Sequence, residues 1–209
     1  MSVTADVLLF TIEDDKLKLL LIRRGEEPFA GAPALPGVFV QRDETPEEAA
    51  ERAIFEETGL TGIYLEQLYT FGAVDRDPRM RIISIAYMAL VPREKLTFSA
   101  GLRTSEVWLE DVEELLKGDR ALAFDHREII RTARARLAGK VEYTDIAFHL
   151  AGETFTLPDL QRIFEILLGG KLYKANFRRK MAERIEETGE MISGGAHRPS
   201  RLYRLKKNG

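Results

Sequence analysis

The chain contains no cysteine, which excludes disulfides and thiolate metal sites. Histidine is nearly as scarce: His126, His149 and His197 fall at spacings that match no metal-binding pattern. No apolar run approaches the roughly 20 residues that a membrane-spanning helix needs, and the first residues lack the basic-then-apolar form of a signal peptide. The expectation is a protein of the cytoplasm with no membrane partner. A P-loop and a nucleophile triad are also missing. What remains is 209 residues of ordinary hydrophobic share and dense charge, enough for one large or two modest globular domains.

The net charge of −3 conceals a division. Residues 1–150 hold 19 Lys and Arg against 27 Asp and Glu, whereas residues 151–209 hold 12 against 7. An acidic front with a basic tail points the tail toward a polyanion.

The front is organised around Pro36 to Leu60, read as a strand, a loop and a helix. Thr45 is a good N-cap, Pro46 suits the first turn, and Glu48 completes a capping box. Gly59 is placed to end the helix in a left-handed conformation. Arg52 and Glu56 share a face. Solvated glutamates on an amphipathic helix do not account for Glu44, Arg52, Glu56, Glu57 and Gly59 falling in register together.

This stretch resembles the Nudix box, G-x5-E-x7-R-E-U-x-E-E-x-G-U with U aliphatic, at intact spacing. Two positions depart: Val38 stands where the motif has Gly, and Ala53 where it has Glu. The resemblance implies hydrolysis of nucleoside diphosphates linked to another moiety, with helix carboxylates holding Mg²⁺ against a pyrophosphate. Because Ala53 supplies no oxygen, it also implies that Glu44, Arg52, Glu56 and Glu57 are remnants of a site that binds without turnover. No cofactor is then required, and Mg²⁺ at the residual site, on Glu56 and Glu57, is the metal it leaves open. Arg24, Arg52, Glu56 and Glu57 are the expected effector-binding residues.

Before the box, Val3–Thr11 and Leu17–Ile22 read as a hairpin across Glu13-Asp14-Asp15. A loop from Glu26 to Pro33 follows. After it, Gly62–Thr70 and Arg81–Val91 read as strands, the second nearly all apolar and hence central. Between them lies the charged loop Asp75–Arg79. Glu106–Leu109 is expected as a last strand and Asp111–Leu116 as a short helix. Asp125 or His126 is the expected cap of a helix running to Leu137, with Ile129, Ile130, Ala133 and Leu137 as its inner stripe. His126 reads as a cap or surface contact. The fold class is α/β, a Nudix-type mixed sheet between helices over residues 1–140.

Residues 141–209 read differently. Glu142–Leu150 is a short helix candidate, Phe155 is β-prone, and Thr156 caps a helix whose stripe is Leu160, Ile163, Phe164, Leu167 and Leu168. Gly169-Gly170 ends it. A second helix, Tyr173–Ile185, would bury Phe177, Met181 and Ile185 and display Lys174, Asn176, Arg178, Arg179 and Lys180. Short strands at Glu190–Ile192 and Leu202–Leu205 flank a hairpin with a basic tip. This is the plan of a helix-turn-helix followed by a wing. The expected DNA-binding residues are Lys174, Asn176, Arg178, Arg179, Arg198 and Arg201, with Arg204, Lys206 and Lys207 adding charge for phosphates.

A degenerate Nudix domain followed by a winged helix resembles the NrtR-type transcriptional regulators over nearly the whole chain. The resemblance rests on PALPGVFV, the box, DRDPR, LAFDHREII and FTLPDLQRIFEILLG…NFRRKM…RPSRLYRL. It implies a homodimeric repressor on a palindromic operator, released by ADP-ribose or a related nucleotide, controlling NAD or related nucleotide or sugar metabolism. The alternative is an active Nudix hydrolase of ADP-ribose-like nucleotides with a C-terminal interaction module.

Overall fold

A computed structural model describes residues 1–96, 106–192 and 199–206. Strand β1 (Ser2–Glu13) and strand β2 (Lys16–Arg23) form the expected hairpin, with Glu13 opposite Lys16. Asp14 and Asp15 between them have φ of 51° and 59°, the left-handed pair of a type I′ turn. Asp tolerates that conformation better than most side chains, which is why an acidic turn suffices without glycine.

The remaining strands of the first sheet are β3 (Pro33–Ala34), β4 (Gly37–Phe39), β5 (Tyr64–Phe71), β6 (Ile82–Leu90) and β7 (Val107–Asp111). The order β3-β2-β1-β6-β5 puts β1 and β6 inside, with β4 added to β1 and β7 to β2. β6 runs parallel to β1 over nine residue pairs, so the nearly continuous apolar run of the sequence is indeed a central strand.

One irregularity positions the site. β1 pairs with β2 only from Phe10 onward, while Thr4, Ala5 and Asp6 pair with Phe39, Val38 and Gly37 of β4. β2 meanwhile gives Ile22 and Arg23 to β3. The sheet therefore parts between β1 and β2, and the strand that opens the box is laid into the gap.

Helix α1 (Pro46–Thr58) has the cap read from its sequence: Thr45 accepts from the Glu48 N–H, Glu48 reaches back to the Thr45 N–H, and Gly59 closes it at φ 71°. Ala49, Ala50, Ala53 and Ile54 of α1 pack with Ala5, Val7 and Leu9 of β1. Three alanines let the helix backbone come close to the strand. Leu8 and Phe10 alternate to the opposite face and are fully buried. Helix α2 (Val112–Lys117) is capped by Asp111. Helix α3 (His126–Lys140) buries Ile129, Ile130, Ala133 and Leu137 completely, as its stripe predicts. Its start differs from expectation. The Asp125 carboxylate turns to Arg76, and the ring of His126, far from being a surface contact, is buried against Leu35.

The chain divides into two compact units, Met1–Arg136 and Leu137–Gly209. In the second, helix α4 is only Phe148–Ala151, not the longer helix expected over Glu142–Leu150. The Thr144 N–H and hydroxyl both bond the Lys140 carbonyl, so this stretch continues the last turn of α3 and does not start a helix of its own at Glu142. Helix α5 (Leu157–Leu168) is capped by Thr156 and closed by Gly169 at φ 72°. Helix α6 (Lys174–Met181) ends four residues earlier than its apolar spacing suggests. The Arg184 N–H bonds the Met181 carbonyl, and Ile185 opens strand β8 (Ile185–Ile192), which pairs with β9 (Ser200–Leu205). Ile185 is buried with Phe177 and Met181 all the same, but from a strand. Phe155 bridges to Tyr203, adding a third edge to the wing. Phe148, Phe155, Phe164 and Phe177 meet in tilted and edge-to-face contacts through this core. Among the described residues no helix is long and apolar enough to cross a membrane.

Candidate functional site

The capped start of α1 fixes where its next turns point. Arg52, midway along it, binds Glu44 through Nη2 (2.6 Å) and Nε (3.1 Å), Glu56 through Nη1 (3.3 Å), and the Phe39 carbonyl through Nη2 (3.1 Å). Glu44 also accepts the Gln41 N–H at 2.8 Å. The Arg52 hydrogen bonds, and after them that N–H, hold the Glu44 carboxyl below the usual carboxylate range. The motif's arginine is therefore a brace that ties helix, loop and strand together.

Glu56, which accepts from Arg52, and its neighbour Glu57 line a cleft of about 370 Å³. Glu57 is 7% exposed. The same cleft is lined by Arg23, the last residue of β2, by Arg24 after it, and by Gly37, Val38 and Ala53. Ala53 is 2% exposed and belongs to the packed core. The two departures from the Nudix motif thus lie in the same cleft, where they replace a glycine and a carboxylate by apolar side chains.

Arg24 reaches a second, contiguous cleft of about 180 Å³. Its guanidinium lies 4.7 Å from the Phe124 ring and donates to the Pro28 carbonyl at 3.0 Å. Arg79 lies between Phe39 and Phe124, 5.9 and 5.7 Å from their centroids. Burial first, and then Arg79, pull Arg24 below its ordinary value, but a guanidinium remains charged at neutral pH.

The floor of this second cleft is a buried polar network. Arg76, 3% exposed at its side chain, donates to both oxygens of Asp125 (2.9 and 2.7 Å) and to Asp6 (3.3 Å). Asp6 also accepts from Ser84 at 2.5 Å. His126 Nδ1 accepts the Leu35 N–H at 3.0 Å, so its proton sits on Nε2, and burial lowers its pKa. A Cβ at Gly37 would lie 2.2 Å from Asp6 Oδ1, so only glycine lets β4 cross this carboxylate.

Of the expected effector residues, Arg24, Glu56 and Glu57 share one cleft, and Arg52 does not line it because its donors are engaged with Glu44, Glu56 and Phe39. Asp6, Arg76, Arg79 and Phe124 were not anticipated as site residues. The signals were a lone carboxylate inside the apolar run of β1 and the charged Asp75–Arg79 loop. Among the described residues no three His, Asp or Glu side chains converge as a metal site. The donor set accounts for this: Ala53 has no oxygen, and Glu44 is turned onto Arg52 and Gln41. Glu56 and Glu57 are the two carboxylates left on the cleft, and a hard ion held by so few protein oxygens completes its shell from water and a ligand's phosphate.

In the second unit Lys174, Asn176, Arg178 and Arg179 all stand exposed on α6, opposite buried Phe177 and Met181. Arg201 on β9 is exposed but paired with Glu187 across the wing at 2.7 Å, and Arg204 is paired with Glu186 at 2.6 Å. Lys206 gives its ammonium to the Ala182 and Glu183 carbonyls after α6. Arg198 and Lys207 lie outside the described residues, as does the basic tip.

Comparison with known proteins places both halves. The NUDIX domain family matches residues 3–133, and the NrtR DNA-binding winged helix domain family matches residues 147–205. The chain is 37% identical over 206 residues to the ADPR responsive transcriptional repressor NtrR of Acinetobacter baylyi, covering 97% of this chain and 81% of that protein. It is 44% identical over 120 residues to the ADP-ribose pyrophosphatase of Methanocaldococcus jannaschii, covering 57% of this chain and 67% of that enzyme. The crystal structure of Shewanella oneidensis NrtR complexed with a 27mer DNA superposes with a TM-score of 0.86 at 35% identity, covering 98% of this chain and 93% of that one. The chain belongs to the NrtR family, in which a Nudix domain is followed by a DNA-binding winged helix.

Proposed function

We propose that this chain is a transcriptional repressor whose hold on DNA responds to ADP-ribose or a closely related nucleotide. The observation that carries the reading is the pairing, in one chain, of a winged helix with a Nudix cleft that retains Glu56, Glu57 and Arg24 but has Ala53 at the missing carboxylate. Arg24 suits a phosphate, and the two glutamates suit ribose hydroxyls. Nudix chemistry ordinarily uses divalent metals. Here an ion would meet Glu56 and Glu57 only together with the ligand's own phosphate oxygens.

Lys174, Asn176, Arg178, Arg179 and Arg201 form the DNA face, acting from the cytoplasm, and the protein works as a homodimer on a palindromic operator. Winged helices on a dimer must meet half-sites about 34–36 Å apart or a multiple of that. A ligand releases DNA only by binding two conformations unequally. The regulated genes belong to NAD or related nucleotide or sugar metabolism.

A second reading, a working hydrolase, draws on the 44% identity with the pyrophosphatase. Ala53 and the bracing of Glu44 by Arg52 count against it. One experiment separates them: a gel shift on DNA upstream of neighbouring genes, with and without ADP-ribose, alongside AMP release in Mg²⁺. Release of DNA without turnover is expected; turnover at ordinary enzyme rates, about 1–10³ s⁻¹, would favour the hydrolase.

A further inference from the structure

The turn between α5 and α6 is held by more than its glycines. Glu165 Oε1 accepts the Leu172 N–H at 3.0 Å and the Gln161 side-chain amide at 3.0 Å. The same Gln161 nitrogen donates to the Leu172 carbonyl at 2.9 Å. Lys171 donates to Glu165 Oε2 at 2.9 Å. Both backbone groups of Leu172 are thus fixed by side chains of α5, one turn apart on the same face. With these three donors, led by Gln161, the Glu165 carboxyl falls to about 2, so the clamp is fully ionised at neutral pH.

The next residue is Tyr173. Its carbonyl accepts the Phe177 N–H at 2.9 Å, so the backbone on both sides of it is anchored. Yet its side chain makes no capping bond and is among the most exposed of the large side chains, at 83%. A single exposed aromatic ring is ordinary. One presented by a four-bond polar clamp, at the head of the helix that carries Lys174 and Asn176, is a placed ring. As the N-cap of α6, in extended backbone at φ −70° and ψ 119°, Tyr173 stands immediately ahead of the first turn. Tyrosine also has few torsions to freeze on contact.

Resting on the DNA-binding reading above, we propose that Tyr173 is a further specificity-determining residue. Its ring packs on a thymine methyl in the major groove, and Gln161 and Glu165 are the positioning residues that aim it. Apolar contact with the 5-methyl group is how a side chain without a suitable hydrogen bond tells thymine from the other bases.

The test starts from a duplex selected from random DNA by the full-length wild-type chain. Each thymine is then replaced in turn by uracil, which removes only the methyl. Wild-type binding should weaken about fourfold at one thymine per half-site, the value of one buried methyl-sized group. Tyr173→Ala, which removes the ring from both protomers, should lose about that factor at each half-site of the parent duplex and become indifferent to that substitution, whereas Tyr173→Phe should keep the dependence. Tyr173 is exposed, so these variants fold. Glu165→Ala should lower the preference for the selected over a scrambled duplex, measured well below its melting temperature, and Glu165→Gln, which restores the acceptor, should recover it. Retained thymine dependence in Tyr173→Ala, or equal weakening on selected and scrambled duplexes, overturns the proposal while leaving the repressor reading in place. Failure of the wild type to bind any duplex overturns that reading itself.

Discussion

Arg52 Nη2 lies 2.6 Å from Glu44 Oε1 while its Nε lies 3.1 Å from Oε2, a two-point grip across the loop that leads into α1. The grip orders Glu44 without spending Arg52 on a ligand. Arg52→Ala should therefore lower the melting temperature and weaken the response to ADP-ribose, leaving DNA affinity without nucleotide close to that of the wild type. Arg52→Lys should behave similarly, since an ammonium cannot reproduce the fork. Thermal melts and nucleotide titrations of a DNA complex check this. A variant with wild-type stability and no nucleotide response would instead make Arg52 a direct ligand contact.

Ala53 concerns catalysis. The wild type should hydrolyse ADP-ribose in Mg²⁺ very slowly or not at all. Ala53→Glu places a carboxylate in the cleft from a position only 2% exposed. Overpacking of this kind costs about 1–3 kcal/mol, or about 2–4 °C of melting temperature per kcal/mol for a chain of this size. Activity in the variant should stay small, because Glu44 remains gripped by Arg52. AMP release with and without an added Arg52→Ala would show whether that grip is what limits it.

How much of this could be read from the sequence depended on how local each feature is. The α1 cap, the Gly59 and Gly169 closures and the α3 stripe are set within a few residues, and all could be read. Arg76 meets Asp6 and Asp125 across 70 and 49 residues, a separation at which no spacing rule pairs side chains. Phe177, Met181 and Ile185 sit four apart, and that interval suits a helix so well that the start of β8 was hidden within it. Gln161 and Glu165 look like a solvated helix face until the turn folds back onto them.

Arg76 is the balance of a buried cluster. Arg76→Met leaves Asp6 and Asp125 facing each other without their shared cation, and breaking a buried pair from one side costs about 3–5 kcal/mol. Urea unfolding of the variant should show a loss of that order. A loss within about 0.5 kcal/mol, typical of surface substitutions, would mean that water reaches the cluster.

His126 gives the protein a pH dependence of known sign. Burial holds its folded pKa below the unfolded value near 6.5, so the unfolded chain binds the extra proton. Its contribution is intact above about pH 6.5 and is lost as pH falls below that value, at a slope of up to about 1.4 kcal/mol per unit. His149, also lowered by burial, adds in the same direction. Wild-type unfolding free energy should decline between about pH 6.5 and 5, and His126→Asn should flatten that decline; an unchanged slope would assign it to other groups.

The DNA face permits the sharpest separation of roles. Asn176 and Arg178 stand exposed on α6, whereas Arg201 on the wing already shares its charge with Glu187 at 2.7 Å. Asn pairs with adenine and Arg with guanine through two hydrogen bonds, each pair worth about 1–3 kcal/mol of discrimination. Asn176→Ala and Arg178→Ala should therefore relax sequence preference more than they weaken binding to scrambled DNA. Arg201→Ala should weaken selected and scrambled duplexes alike. A phosphate contact made by an unpaired cation changes the salt slope by about 0.9. Because Glu187 competes for Arg201, its loss should change the slope by less, and Glu187→Gln should strengthen binding to both duplexes. Salt titrations of the four variants on both duplexes read all of this at once. A change of preference on Arg201→Ala would move that residue from the phosphates to the bases.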